Sequence, residues 1–360
     1  MPFFHSIHLT QFRNYTEQQF SFSKRIVAIC GNNGCGKTNL LDAIYYLCFT
    51  KSYFSRPDSQ SVQKGQAGFR IDGMADLGQE NHRLICILRE NNRKEFSVNQ
   101  EQLKKFSQHI GQFTAVMIAP DDIELVIGGS EDRRKFIDTL LCQIDANYLS
   151  CLADYQKILL QRNSLLKAAA EQQRFDDTLL TIVDRQLAEK GQIIFEVRQQ
   201  FLTDFIPQVK AAYLFIANVD DGLAMAYDSQ LTNGLMSQLL ADNRQRDIYL
   251  QRTGVGIHKD DLELTMNGLP FKQMASQGQR KSLLFALKLA AFNVLKKHKG
   301  YAPILLLDDV FEKLDQQRMH QLLQRVCIEE DGQVFITDTH KERLEAQLVA
   351  IGADFELMQL

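Results

Sequence analysis

The densest chemistry in this sequence lies at GNNGCGKT, residues 31–38. The spacing fits GxxxxGK[ST], a loop that holds a nucleoside triphosphate. Gly31, Gly34 and Gly36 let the backbone curl so that its N–H groups, with those of Asn32, Asn33 and Cys35, turn inward on phosphate oxygens. The helix that follows, running through Thr38 and Asn39, adds the positive end of its dipole. Lys37 reaches the β- and γ-phosphates, and the Thr38 hydroxyl suits Mg²⁺. Near the other end of the chain, ILLLDD (304–309) is an apolar run ending in two carboxylates. Asp308 completes the Mg²⁺ site with Thr38, and Asp309 is the group to orient or deprotonate a water attacking ATP. The plainer alternatives are a Gly-rich turn with a surface lysine for the loop, and a helix N-cap or solvated carboxylate for Asp309.

These groups need strands and helices to aim them. RIVAIC (25–30) is a short buried strand leading into the loop, and apolar spacing from Thr38 to Leu47 is helical. Residues 68–106 read as β-hairpins. From about Pro120 the pattern turns helical, with Phe136, Ile137, Leu140, Leu141 and Ile144 on one face, and stays so to about residue 250. After Gly254 the mixed pattern returns: a helix over 278–298, a buried strand PILLL (303–307), a helix over 315–328, and strands QVFIT (333–337) and DFELM (354–358). The spacing predicts an α/β lobe made from both ends of the chain, residues 1–118 and 254–360, with a helical lobe, 119–253, inserted between them.

Composition narrows the class further. Of 360 residues, 45% are apolar and 24% charged, with only 6 Pro, so the chain buries a core and is neither collagen-like nor disordered. Lys and Arg number 41 against 44 Asp and Glu, a net charge of −3, so nucleic-acid binding would require cations gathered on one face. No run approaches the roughly 18 apolar residues of a membrane helix, and the N-terminus lacks a signal-peptide pattern. The cysteines (30, 35, 48, 86, 142, 151 and 327) are odd in number and contain no CxxC, which points to a reduced, cytoplasmic protein without a zinc site.

Most of the chain lies between Lys37 and Asp308, more than a small GTPase has room for. That split plan belongs to SMC-like ATPases. ASQGQRKS (275–282), just ahead of the second acidic motif, resembles the LSGGQ signature of ABC-type ATPases. Read alone it is a helix cap. The resemblance implies that Ser276, Gly278 and Gln279 of one copy grip the nucleotide held by Lys37 of another, so that ATP binding makes a homodimer. The fold expected is therefore an α/β, ABC/SMC-like P-loop ATPase head with an inserted, mainly helical second lobe.

The chain as a whole resembles the RecF family. The resemblance rests on FRNY (12–15), the phosphate loop, APDDIELVIGGSEDRRKFID (119–138), GIHKDDL (256–262), ASQGQ, LLLDDV (305–310) and FITDTH (335–340). It implies a DNA repair and replication ATPase that dimerises on ATP and binds DNA, single-stranded and at single-strand/double-strand junctions. It also implies slow hydrolysis, with RecO and RecR as partners that help load RecA onto gaps. An ABC-type ATPase driving a transporter is the alternative. A D-loop is expected at Leu314 and Asp315, preceded here by Lys313 where the family has Glu. Asp309 replaces the Glu common in ABC-type ATPases and is one methylene shorter, which favours a timed clamp over a motor.

Several residues keep two readings. Arg13 leans toward the nucleotide or is a surface arginine. Asp338 or His340 senses the γ-phosphate, or both form a strand-end turn. Arg133 and Arg134 face an anion, or pair with Glu131 or Asp132. Cys35 is a reactive thiol at a helix N-terminus or an inert buried one. The basic clusters Arg89/Arg93/Lys94, Lys104/Lys105, Arg280/Lys281/Lys288 and Lys296/Lys297/Lys299 meet DNA or are solvated faces.

Overall fold

The structure is a computed structural model and describes residues 1–54, 57–172, 177–310 and 316–360. The D-loop positions Lys313, Leu314 and Asp315 lie outside the described residues. Strands β1 (Pro2–Phe12), β2 (Tyr15–Ser21) and β3 (Ile26–Cys30) lead into helix α1 (Lys37–Phe49). A meander follows, β4 (Phe69–Leu77), β5 (Glu80–Leu88), β6 (Lys94–Val98) and β7 (Glu101–Gln102), and then β8 (Ala115–Ile118). Helices α2 (Glu124–Ile127), α3 (Ser130–Ile144), α4 (Ala146–Gln172) and α5 (Asp177–Ala217) come next. After them run β9 (Leu223–Asp228), α6 (Met236–Leu250), β10 (Asp261–Met266), β11 (Leu269–Pro270) and α7 (Phe271–Met274). The chain closes with α8 (Gln277–Lys299), β12 (Ile304–Leu307), α9 (Gln316–Leu323) running into a π-helical turn, β13 (Val334–Asp338), α10 (Lys341–Ala350) and β14 (Phe355–Gln359).

Two units result. The first comprises Met1–Ile123, Ala212–Asn218 and Gln277–Leu360. Its central sheet runs β14-β3-β13-β12-β8, with every pairing parallel. Strands IVAIC, AVMI, ILLL and VFITD are buried at every position, as a parallel sheet covered on both faces requires. A second sheet, β2-β1-β4-β5-β6-β7, is antiparallel. In β4, Phe69, Ile71, Gly73 and Ala75 alternate inward. Residues of both sheets and of α1 form one apolar core, so α1 is buried along nearly its whole length.

The second unit comprises Glu124–Ala211 and Val219–Ser276. Its helices surround buried ion pairs. Arg162, fully buried, reaches Asp184 and Asp247, each at 2.6 Å. Arg198 reaches Asp138 at 2.8 Å and Asp260 at 3.1 Å. The sequence boundaries need correcting here. Residues 254–276 belong with the inserted unit, and the stretch to residue 250 is not all helical, because β9 pairs with β10 across α6. Arg133 also departs from both of its expected partners. Its guanidinium forks onto Asp261 at 2.7 and 2.9 Å and donates to the Gly128 carbonyl, while Arg134 donates to the Asp260 carbonyl.

Candidate nucleotide-binding site

The end of β3 and the start of α1 shape the loop. Gly34 and Gly36 take φ of 83° and 120°, a region that L side chains rarely enter. A Cβ on Gly36 would lie 2.4 Å from the Tyr15 hydroxyl, so the turn depends on the missing side chain twice over. Helix α1 has no side-chain cap and no acidic residue in its first turn. Its first N–H groups are left for an anion. The Lys37 ammonium is held over the loop by the carbonyls of Gly31 (2.8 Å) and Asn32 (3.2 Å). Asn33 is exposed beside them.

FRNY supplies the braces. The Tyr15 hydroxyl donates to the Gly36 carbonyl at 3.0 Å, and Asn14 Nδ2 donates to the Cys35 carbonyl at 3.0 Å. Asn39 Nδ2 in turn donates to Asn14 Oδ1 at 2.7 Å. Sequence reasoning used Asn14 and Tyr15 only as marks of resemblance and missed this bracing. Arg13 takes a third course. Its guanidinium meets the buried Asp42 of α1 at 2.8 Å and Ser52 Oγ at 2.9 Å, rather than the loop or open solvent. Cys35 is half-buried, while the other six cysteines are buried.

Parallel pairing of β12 between β13 and β8 brings Asp308 to the loop. The Thr38 hydroxyl lies 3.0 and 2.9 Å from its two carboxylate oxygens. The Thr337 hydroxyl donates to Asp308 Oδ1 at 2.8 Å and accepts from the Asp309 backbone N–H at 2.9 Å. Thr337 is fully buried at the end of β13 and went unnoticed in the sequence. Burial pushes the Asp308 carboxyl up to about 6; Thr337 and Thr38 oppose that, Asp309 reinforces it and Lys37 opposes it. Asp309 has φ 44°, a left-handed conformation for a residue with a side chain. A hydroxyl and a carboxylate in contact are hard oxygen donors suited to Mg²⁺, which takes few protein ligands and completes its shell with water and phosphate.

Ser276 is exposed and ends the second unit; Gly278 and Gln279 lie in the first turn of α8 in the first unit. At the last motif, Asp338 is buried, accepts from the His340 backbone N–H at 3.1 Å and is ion-paired with Arg343, while His340 is exposed at the start of α10. That is the geometry of a strand-end turn. The basic clusters are partly neutralised: Arg89 and Arg93 share Glu95, Lys94 meets Asp58, Lys288 meets Asp122 and Lys296 meets Glu330. Lys104, Lys105 and Lys297 are exposed. Among the described residues, no helix is long and apolar enough to cross a membrane.

Known proteins agree with this geometry. The family described as RecF/RecN/SMC N terminal domain matches residues 3–356. The DNA replication and repair protein RecF of Flavobacterium johnsoniae is 41% identical over 352 residues, covering 98% of each chain. That of Parabacteroides distasonis is 40% identical over 349 residues, covering 97% of this chain and 94% of its own. A structure of the recombination mediator protein RecF-ATP in the RecFOR pathway superposes with a TM-score of 0.87 at 31% identity, covering 94% of this chain and 92% of that one. The Smc head domain of Pyrococcus furiosus, at 16% identity and a TM-score of 0.53, shares the fold alone. The transporter alternative is not favoured by any of these. With its split SMC-type head, its phosphate loop and full-length identity of this order, the chain belongs to the RecF family of DNA replication and repair proteins.

Proposed function

We propose that this protein is an ATP-dependent DNA-binding switch of recombinational repair and replication restart. In this reading Gly31 to Asn39 bind ATP through loop amides and the Lys37 ammonium. Thr38 and Asp308 hold Mg²⁺, which when bound neutralises charge on the β- and γ-phosphate oxygens. Asp309 orients the attacking water and accepts its proton. Ser276, Gly278 and Gln279 of a second copy close over the γ-phosphate, so nucleotide makes a homodimer. The dimer clamps DNA at single-strand/double-strand junctions, with RecO and RecR as partners in loading RecA on gaps, and slow DNA-stimulated hydrolysis resets it. Seven free cysteines fit a reduced cytoplasm.

The observation that supports this is the contact between the Thr38 hydroxyl and the Asp308 carboxylate, which brings residues from opposite ends of the chain together beside the phosphate loop. The test is DNA binding and sizing chromatography with and without ATP, for wild type, Lys37→Met and Ser276→Arg. Wild type should dimerise and bind junction DNA only with ATP, with affinity falling steeply as salt rises. Lys37→Met should lose nucleotide; Ser276→Arg should keep nucleotide and lose the dimer. A wild type that stays monomeric with ATP and DNA overturns the reading.

A further inference from the structure

The motif APDD (119–122) and the middle of α8 take no part in the site above, yet they meet in a buried polar cluster of the first unit. Lys288 sits on an α8 face otherwise buried and apolar, from Leu283 to Phe292. Its ammonium donates to the Met117 carbonyl at 2.7 Å and to the Tyr53 hydroxyl at 2.9 Å, and pairs with Asp122 Oδ2 at 3.0 Å. Asp122 accepts the Ala119 N–H at 2.7 Å and the Tyr53 hydroxyl. The Tyr53 backbone N–H donates to Asp42 of α1 at 2.8 Å, and its ring packs edge-on against Tyr45 of α1. A chain of directional bonds thus runs from the phosphate-loop helix α1 to α8, whose first turn belongs to the signature.

We propose that Tyr53, Asp122 and Lys288 are positioning residues that set the signature end of α8 against the phosphate-loop helix; this rests on the dimer reading above. Two physical points support it. A buried ion pair is a poor source of stability, since desolvation offsets its attraction, and its use is to fix geometry. Packing at the start of α8 is incomplete on one side, although Leu283, Leu284 and Phe285 are themselves buried. A pocket of about 110 Å³ borders its first turns, lined by Ile118, Pro120, Leu284, Phe285 and Asp308. Close-packed cores transmit position, and a void does not. Lys288 lies eleven residues into α8, roughly 16 Å along its axis. Pivoting by roughly 5° about that anchor shifts the signature turn by roughly 1.4 Å. A shift of that size can cost about 100-fold in a reaction needing tight alignment.

The experiment uses full-length protein: wild type, Tyr53→Phe, and the charge-free pair Lys288→Met with Asp122→Leu. Three quantities are measured: affinity for a fluorescent ATP analogue on the monomer, protein concentration for half-dimerisation with ATP, and melting temperature. Tyr53→Phe should bind nucleotide within about twofold of wild type and need roughly tenfold more protein to dimerise. The double variant should fold, melt a few degrees lower because the Ala119 N–H and Tyr53 hydroxyl lose their acceptor, and show the same dimerisation defect. The inference is overturned if a variant that folds and binds nucleotide dimerises like wild type. Loss of nucleotide binding in parallel with the dimer, or failure of both variants to fold, means a structural role only and overturns it too. A wild type that does not dimerise on ATP sinks the function reading and this inference with it.

Discussion

Thr337 offers the most direct test of how the site is held. Its hydroxyl is fully buried, donates to Asp308 and accepts from the Asp309 N–H, so one oxygen ties the carboxylate proposed to hold the metal to the residue proposed to act on water. Thr337→Val keeps the shape and removes both bonds. The bond to the carboxylate is worth about 1.5–3 kcal/mol, and leaving the Asp309 N–H without its acceptor adds about 1 kcal/mol or more. Asp308 keeps its Thr38 contacts and its backbone bond to the Ile118 carbonyl, so the net loss should fall near 2–3 kcal/mol. Part of it, about 1 kcal/mol, appears as stability, lowering the melting temperature of a chain this long by about 1–2 °C. The rest appears in catalysis. The lost acceptor is one bond on Asp309 at φ 44°, a conformation that costs about 1–2 kcal/mol. A carboxylate displaced by about 1 Å loses up to about 100-fold in rate. Single-turnover phosphate release should therefore fall roughly 5–30-fold, while nucleotide affinity without Mg²⁺ stays within about threefold because the loop and Lys37 are untouched. Thr337→Ser should recover most of the rate. Release by Thr337→Val within threefold of wild type would refute the reasoning.

Other consequences follow from single residues. Cys35 is the one cysteine that is not buried and it lies inside the loop, so a maleimide should modify it first, block nucleotide binding and be excluded by ATP; full sensitivity in Cys35→Ser contradicts this. Asp309→Glu lengthens the carboxylate but puts a less tolerant residue at φ 44°, so it should melt a few degrees lower without faster turnover; a tenfold faster variant that melts like wild type sinks that argument. Burial lowers His109 and His258 from 6.5 to about 4. His109 Nε2 donates to the Leu47 carbonyl beside the Phe96 ring; His258 sits between the Tyr155 hydroxyl and the Thr253 carbonyl. The unfolded chain binds these protons more readily, so each contributes up to ~3 kcal/mol above pH 6.5, lost as pH falls toward 4. Asp308 and Asp260, raised by burial, act oppositely in that range, so the readout is the imidazole NMR signals: both should stay neutral at pH 5.5, and titration near 6.5 refutes the assignment.

What the sequence disclosed was whatever is written in consecutive residues. GNNGCGKT and ILLLDD carry their chemistry in neighbours along the chain, and unbroken apolar runs mark buried parallel strands. The inserted unit was misjudged where structure depends on distant pairing: β9 and β10 are separated by α6. Arg133 looked misplaced at the start of α3 because its partner, Asp261, lies on β10. Thr337 left no signal, since a threonine at the end of a strand is ordinary until β13 is laid beside β12. Asn14 and Tyr15 were visible only as a pattern, and their bonds to loop carbonyls explain why that pattern accompanies a phosphate loop.

The two adjacent carboxylates meet different surroundings at one strand end, as the two proposed roles require. Asp308 continues the extended β12 line, is 2% exposed and meets two hydroxyls, an environment that favours its anion only when a cation is near. Asp309 turns through the left-handed region and is half-exposed, where Asp308 is buried. Aspartate tolerates that conformation better than glutamate does. Under the roles proposed for these two carboxylates, the short side chain at this position follows from the backbone turn that would separate metal binding from water activation. The slow hydrolysis proposed above would then follow from the turn's geometry, because the reach that a longer acid would add is opposed by strain in the same turn.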